Sequence, residues 1–479
     1  MATRIFPQLA ARRNRSAARF LFLLFATVCA WILSATAVDP VSPDADGSRL
    51  RSIVVDSVFD PARHFLDATA RLSFARPAAE RRLWLAKELQ LNLVRGGAET
   101  VLDYQRDSAQ LVVQCPGQDE LELRYSGRLV RNLDVIESSW ELGVPEARLP
   151  FDDCFILSYI KDFYPHPQLD FAPTKMNFRV PGGWSCLGSG TLLGVRREPA
   201  GDTYSFDGTG AKGMALVCGR FRQIGRIDWT IPIRLHALPG FSSDRYFSES
   251  EIARVFAFYN ERFGALHVPE VNVLLRIGRS FSGISFNGLI VFVVDESWGR
   301  LSAKARKDIQ GQSPLSIIGA ETDLLVHEAA HQWWGGLVSW KTINDNWITE
   351  GLATYSTMLV LRELQGDKAY LNIRKKLRWW VKKCTKLGVP ADGFKLKLLN
   401  RDPHVYQTLV YVKPALMLAA LADEIGEGEL CLRLKGILEK YRSRNLDSAE
   451  FLRLLSAGDS ELFLRLNRWI SSKELPDRL

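Results

Sequence analysis

The chain has 479 residues, 47% hydrophobic and 24% charged. That globular composition excludes a disordered, collagen-like or low-complexity protein and leaves room for about two to four domains. The formal charge of +8 would suit a nucleic-acid binder if it were spread over the fold, but five of the arginines fall within the first 19 residues.

Arg4, Arg12, Arg13, Arg15 and Arg19 precede an apolar run from Phe20 to Leu33 and then Ala35-Thr36-Ala37, with no acidic residue before Asp39. A basic start, an apolar core shorter than a ~20-residue membrane span and a small-x-small site make up a secretory leader. Cleavage is expected after Ala37; the alternative is an uncleaved anchor through residues 20–37. The protein is therefore expected to be exported, to the periplasm or beyond the cell, and to touch a membrane only if that segment stays attached. Removing those five charges leaves +3, and with it goes the electrostatic case for nucleic acid. Six cysteines follow: Cys115, Cys154, Cys186, Cys218, Cys384 and Cys431. An even count in an exported chain permits up to three disulfides, with fifteen connectivities open. None has the C-x-x-C spacing of a redox or zinc motif.

From about Arg51 to Leu238 short apolar alternations are broken by turn residues, as in Leu89-Gln90-Leu91-Asn92-Leu93 and Leu121-Glu122-Leu123-Arg124-Tyr125. Period-two runs at this spacing predict an antiparallel β domain over residues 38–240. After Pro239-Gly240 the texture changes. Ser248 and Glu251 form a capping-box pattern for a helix to about Phe263. Val271 to Ile277 and Leu289 to Val294 read as strands, and helical periodicity dominates from about Glu321, so residues 241–479 form the second domain.

Within that helical region stands His327-Glu328-Ala329-Ala330-His331. Histidines four apart on a helix project from one face and can grip one metal ion, with Glu328 one step round, beside an open coordination position. A catalytic zinc needs a third protein ligand. A second predicted helix, from Trp347 to about Leu364, offers Glu350 in its first turn. Read alone, Glu350 is a solvated acid favoured by the helix N-terminus.

With its surroundings, HEAAHQWWGGLVSW and NDNWITEGLATY, this pattern resembles the aminopeptidase N family of zinc metallopeptidases, which includes the leukotriene hydrolases. Phe163-Tyr164-Pro165, Val180-Pro181-Gly182-Gly183-Trp184 with Ser189-Gly190, and Tyr411-Val412-Lys413 extend the likeness over residues 50–425. The resemblance implies an α+β chain: an antiparallel β-saddle domain, then a thermolysin-like, mainly helical catalytic domain, without the large C-terminal helical domain of many relatives. It makes His327, His331 and Glu350 the ligands of one zinc ion per chain, Glu328 the general base and Tyr411 the donor to the oxyanion. Peptides or proteins are the implied substrates; oligomeric state has no signature.

The family's Gly-x-Met-Glu-Asn strand corresponds to Gly283-Ile284-Ser285-Phe286-Asn287, so Gly283, Phe286 and Asn287 are expected at the substrate. Phe286 stands where relatives carry the glutamate that binds a free α-amine, and an apolar ring cannot pair with ammonium as a carboxylate does. Aminopeptidase specificity is therefore open. The alternatives are an endopeptidase or a hydrolase of N-blocked substrates and, in another class, a peptide-binding scaffold with structural zinc. Two further departures are Pro414 in place of the family's glycine, which still suits a first helical turn, and Lys304 to Ser313, which read as an inserted rim or lid loop.

Overall fold

The computed structural model describes residues 49–472 except 98–99, 130–153, 168–170, 240–247, 279–281, 296–321, 387–404 and 406. The predicted leader and the Lys304 to Ser313 loop lie outside the described residues.

The first half is built on an eight-stranded sheet. Its long strands β1 (Leu50–Asp60), β2 (Phe65–Trp84) and β5 (Gln110–Arg128) form its middle; β3 (Leu89–Gly96) and β4 (Tyr104–Asp107) both pair with β5. On the other side β1 joins β7 (Thr174–Val180), followed by β10 (Gly201–Asp207) and β9 (Thr191–Glu198). Burial alternates along β1, with Ile53, Val55 and Phe59 inward, as period-two patterning requires. One pairing departs from the antiparallel expectation: β1 and β7 run parallel. A parallel pair needs a long crossover, and the 113 residues between these two strands supply it.

Against this sheet lies a three-stranded antiparallel one, β6 (Cys154–Ser158), β11 (Ala215–Gly219) and β8 (Ser185–Gly188), with β11 in the centre. A five-stranded mixed sheet follows in the order β12 (Arg222–Asp228), β13 (Pro232–Ala237), β14 (Val271–Gly278), β16 (Leu289–Asp295) and β15 (Ser282–Phe286). This sheet draws strands from both sides of residue 240. Strands β12 and β13 precede it, yet β13 pairs with β14. The change of texture marks where strands give way to helix, because sheet membership is a tertiary property that alternation does not reveal.

The helices are α1 (Glu249–Phe263), α2 (Thr322–Ala330), α3 (Trp347–Gln365), α4 (Asp367–Lys386), α5 (Lys413–Ile425), α6 (Glu427–Lys440), α7 (Ser448–Leu455) and α8 (Ser460–Ser471). The capping box expected for α1 is present: Ser248 Oγ accepts from Glu251 N, and the Glu251 carboxylate accepts from Ser248 N. Every residue of α3 from Trp347 to Leu361 is buried. A helix enclosed on all sides is a core element, and α2, α4 and α5 pack around it. Strand β17 (Val338–Trp340) pairs with β18 (Arg444–Leu446). Among the described residues no helix is long and apolar enough to cross a membrane.

Candidate metal centre

Helix α2 carries the histidines and is fixed from both sides. Tyr259 on α1 donates its hydroxyl to Val326 O at 3.0 Å, Trp333 Nε1 donates to Gly264 O at 2.8 Å, and Trp334 Nε1 donates to Ser356 Oγ on α3 at 3.1 Å. The regular α-helix stops at Ala330. His331 begins the closing turn, its N–H still donating to His327 O, and the side chains keep the shared face that i, i+4 spacing predicts.

Their Nε2 atoms stand 3.2 Å apart, and Oε2 of Glu350 lies 3.4 Å from His327 Nε2 and 3.2 Å from His331 Nε2. Ligand atoms about 2.0–2.1 Å from a tetrahedral zinc are separated by ~3.3 Å, so this triangle has the size of one face of that tetrahedron. Among the described residues it is the group of ligating side chains suited to a metal. The tautomer supports the same reading. His331 Nδ1 lies 2.9 Å from Trp334 O; a carbonyl only accepts, so Nδ1 carries a proton, and in the neutral ring that a metal binds Nε2 presents its lone pair to the cluster. His327, His331 and Glu350 thus form a site for one Zn²⁺.

Electrostatics express the cluster's demand for positive charge. Burial draws the His331 imidazole down, but the Glu350 carboxylate outweighs it and lifts the group to about 9. Burial pushes Glu350 up, yet the two histidines hold it at about 2. His327 is lowered, chiefly by burial. Glu328 is not in the triangle: burial pushes its carboxyl up to about 7, where a group can both take and release a proton near neutrality.

The same cleft is lined by the three ligands, Glu328, Tyr411, Gly283, Phe286 and Asn287, so all the residues singled out in sequence meet there. Tyr411 is buried and stacks on His327, ring centroids 5.9 Å apart and planes at 25°. It belongs to a π-helical turn, Thr408–Val412, that leads into α5. Pro414 falls in the first turn of α5 and fills the space beside Gly351, where an added Cβ would lie 2.4 Å from its Cβ. That contact seats the Tyr411 turn against α3, next to Glu350.

Strand β15 forms the opposite wall at the edge of its sheet. Its alternation splits the motif. Gly283 and Ser285 face α2: a Cβ on Gly283 would lie 2.5 Å from Glu328 Cγ, and Ser285 Oγ donates to Glu328 O at 3.0 Å. Ile284 and Phe286 face the β6–β11 layer, where Phe286 is buried in an apolar cluster with Ile156, Val217 and Leu289 and meets Tyr159 edge to face at 6.0 Å. Asn287 is held by its amide, which donates to Gly336 O at 3.0 Å, while its own carbonyl accepts from Gly190 N at 3.1 Å.

Three contributors escaped sequence reasoning. Gln332, next to His331, pins β15 to α2: Nε2 donates to Ser285 Oγ at 2.6 Å and Phe286 O at 3.0 Å, and Oε1 accepts from Gly288 N at 2.8 Å. Tyr159 covers Phe286. Lys212 is buried on the cleft wall, its Nζ donating to Ser339 Oγ at 3.0 Å and Trp340 O at 2.8 Å and lying over the Trp340 ring. No local pattern announces any of them, since their partners are distant in the chain or lie on another strand.

Residues 307–469 match the peptidase family M1 domain. The probable aminopeptidase 1 of Sulfurisphaera tokodaii is 22% identical over 413 residues, 81% of this chain and 49% of that protein. Aminopeptidase 2 of Candida albicans is 20% identical over 321 residues, 62% of this chain and 32% of that one. The chain thus spans about half or less of the length of these relatives. Its fold is shared with the M1 zinc metallopeptidase from Deinococcus radiodurans, with a TM-score of 0.65 at 17% identity over 90% of this chain and 95% of that one; a mutant M1 metallopeptidase from the same organism has been solved bound to a Tyr-Ser-Ala substrate. These matches bear out the resemblance to the aminopeptidase N family and the α+β fold expected with it.

Proposed function

We propose that this M1 peptidase-like chain is a zinc-dependent peptidase that hydrolyses peptide bonds. The observation that carries the reading is the donor triangle of His327, His331 and Glu350 with Glu328 beside it and outside it. A structural zinc needs neither a spare buried carboxylate nor a tyrosine at its rim, which weighs against a binding scaffold.

Zinc held by these three side chains supplies a Lewis acid that acidifies water and polarises a carbonyl. Glu328, buried beside the donor triangle and outside it, takes the proton of the attacking water and returns it to the departing amine. Tyr411 donates its phenolic proton in a hydrogen bond to the oxygen of the tetrahedral intermediate. The edge of β15, which pairs with no further strand among the described residues, offers backbone groups to an extended substrate, the strand-addition mode of peptide recognition, and Gln332 holds that edge in place.

One specific observation favours N-blocked or internal peptide bonds over free N-termini. Phe286 is packed under Tyr159 in an apolar cluster, and its ring stands where a carboxylate would be needed to pair with an ammonium group. Turnover of free and N-acetylated peptides, each with and without a chelator, tests the whole reading. Chelator-sensitive cleavage of both supports it, chelator-insensitive cleavage removes the zinc mechanism, and no cleavage of any peptide supports the scaffold. We further propose export by the leader in residues 1–37, supported by its basic, apolar and small-residue parts; N-terminal sequencing should begin at Val38, whereas an intact Met1 start would favour the anchor.

A further inference from the structure

The six described cysteines are thiols, and two of them face each other. Cys186 on β8 and Cys218 on β11 are direct partners across the antiparallel ladder. Both are buried, and their Sγ atoms lie 3.0 Å apart. The ladder fixes the kind of position. Ser189 N donates to Ala215 O, which makes that pair a hydrogen-bonded one; alternation then makes 188/216 non-bonded, 187/217 bonded and 186/218 non-bonded. At non-hydrogen-bonded positions opposed Cα atoms approach to ~4.5 Å and side chains lean together, within the ~4.4–6.8 Å range that a disulfide spans.

We propose that Cys186 and Cys218 are a modification site, joined as a cross-strand disulfide while the chain folds. The thiolate of one attacks a sulfur of a disulfide-bearing oxidant, such as glutathione disulfide, forming a mixed disulfide and displacing one thiol. The other thiolate attacks the cysteine sulfur of that mixed disulfide, closing the Cys186–Cys218 bond and releasing the second thiol. The chain gives up two protons and two electrons, and the oxidant's disulfide takes up both.

The timing follows from burial. In the folded chain neither sulfur is open to an oxidant, and burial together with the adjacent Cys186 raises the Cys218 thiol well above its ordinary range, which suppresses the reactive thiolate. Oxidation therefore belongs to the stage before β8 and β11 close, and the finished bond is shielded from reductants in the same way. The pairing is also selective. Cys154 lies on the neighbouring strand β6 opposite Gly219, but its side chain joins the apolar cluster around Phe286, whereas Cys186 and Cys218 join the cluster under the eight-stranded sheet. The bond would tie two segments of the cleft wall, since β8 runs on to Gly190, which holds Asn287, and β11 is preceded by Lys212 and Gly213.

The test is to refold the denatured, reduced full chain in a buffer containing glutathione disulfide, alkylate under denaturing conditions and map the peptides. The expected result is two fewer alkylated thiols than in the reduced chain, with the Cys186 and Cys218 peptides linked and resistant to reductant until denaturant is added. Cys186→Ser should leave Cys218 alkylated and produce no replacement link. If the chain does not refold, cell-free synthesis with glutathione disulfide provides the same sample. Folded protein with both cysteines alkylated, or with either one linked to another cysteine, would overturn the proposal.

Discussion

Gly283 and Glu328 are in contact with no space for a side chain between them: a Cβ on the glycine would sit 2.5 Å from Cγ and 2.6 Å from Oε1 of the glutamate. The atoms it would meet are the movable end of a side chain, so the substitution is expected to shift Glu328 rather than unfold β15. Gly283→Ala should keep zinc and fold while lowering kcat by about 100-fold, the size of effect that a displacement of about 1 Å produces at a reacting group. Steady-state kinetics with metal analysis checks it; an unchanged kcat would mean that Glu328 has a second productive position.

Removing one corner of the donor triangle should remove the metal. His327→Ala, His331→Ala and Glu350→Ala are each expected to lose zinc on dialysis, where wild type keeps one ion per chain. Retention by Glu350→Ala as tight as wild type would disqualify it as the third ligand.

Glu328→Gln and Tyr411→Phe separate chemistry from metal binding. Both should hold zinc. The first should lose nearly all turnover, and the second should lower kcat by ~10²–10³, as loss of one oxyanion donor does. A Tyr411→Phe enzyme with normal kcat would reduce the stacking on His327 to simple packing.

Phe286→Glu is expected to shift the kcat/KM ratio toward free over N-acetylated peptides by roughly ten- to a hundredfold, the equivalent of a charge-assisted contact of ~1.5–3 kcal/mol. A carboxylate placed among Ile156, Val217 and Tyr159 should also lower the melting temperature, so the comparison is a ratio within each variant. Strong preference of wild type for free N-termini would refute the role given to Phe286.

The stability of the fold should depend on Lys161. Burial lowers its ammonium to about 7, with Asp162 and Glu88 opposing. Between about pH 7 and the ordinary lysine value of 10.5, the unfolded chain keeps a proton that the folded chain has released, so stability rises with pH across that window and is flat in this term below it. Lys161→Met should remove that rise. Denaturation midpoints of wild type and variant from pH 6.5 to 9.5 give the comparison, and parallel profiles would exclude the shift.

Features set by local spacing were legible before the fold was. The histidines four apart, the Ser248–Glu251 capping box and the apolar strands expected over 271–277 and 289–294 need only helix or strand geometry, and the structure has each of them, the strands running one residue further. What stayed hidden depends on approach between distant segments. Gly283 is required by Glu328, 45 positions on; Phe286 is covered by Tyr159 from the turn that follows β6; and β12 and β13 read as part of the first half because alternation says nothing of which sheet a strand joins. The cysteines make the same point: fifteen connectivities were open, and only the register of β8 on β11 brings Cys186 and Cys218 together.

The π-turn at Thr408–Val412 gives the cleft an unusual vulnerability. A turn of this kind holds about one residue more than an α-helical one. Deleting a single residue within it would let the segment run straight into α5 as ordinary helix and swing Tyr411 by ~100° about the axis, away from His327. Such a change would improve backbone regularity, so a screen for thermal stability would pass it or even select it. Selection for a tougher scaffold and selection for turnover therefore pull in opposite directions at this one turn, and a stabilised variant of the protein should be sequenced here before its activity is trusted.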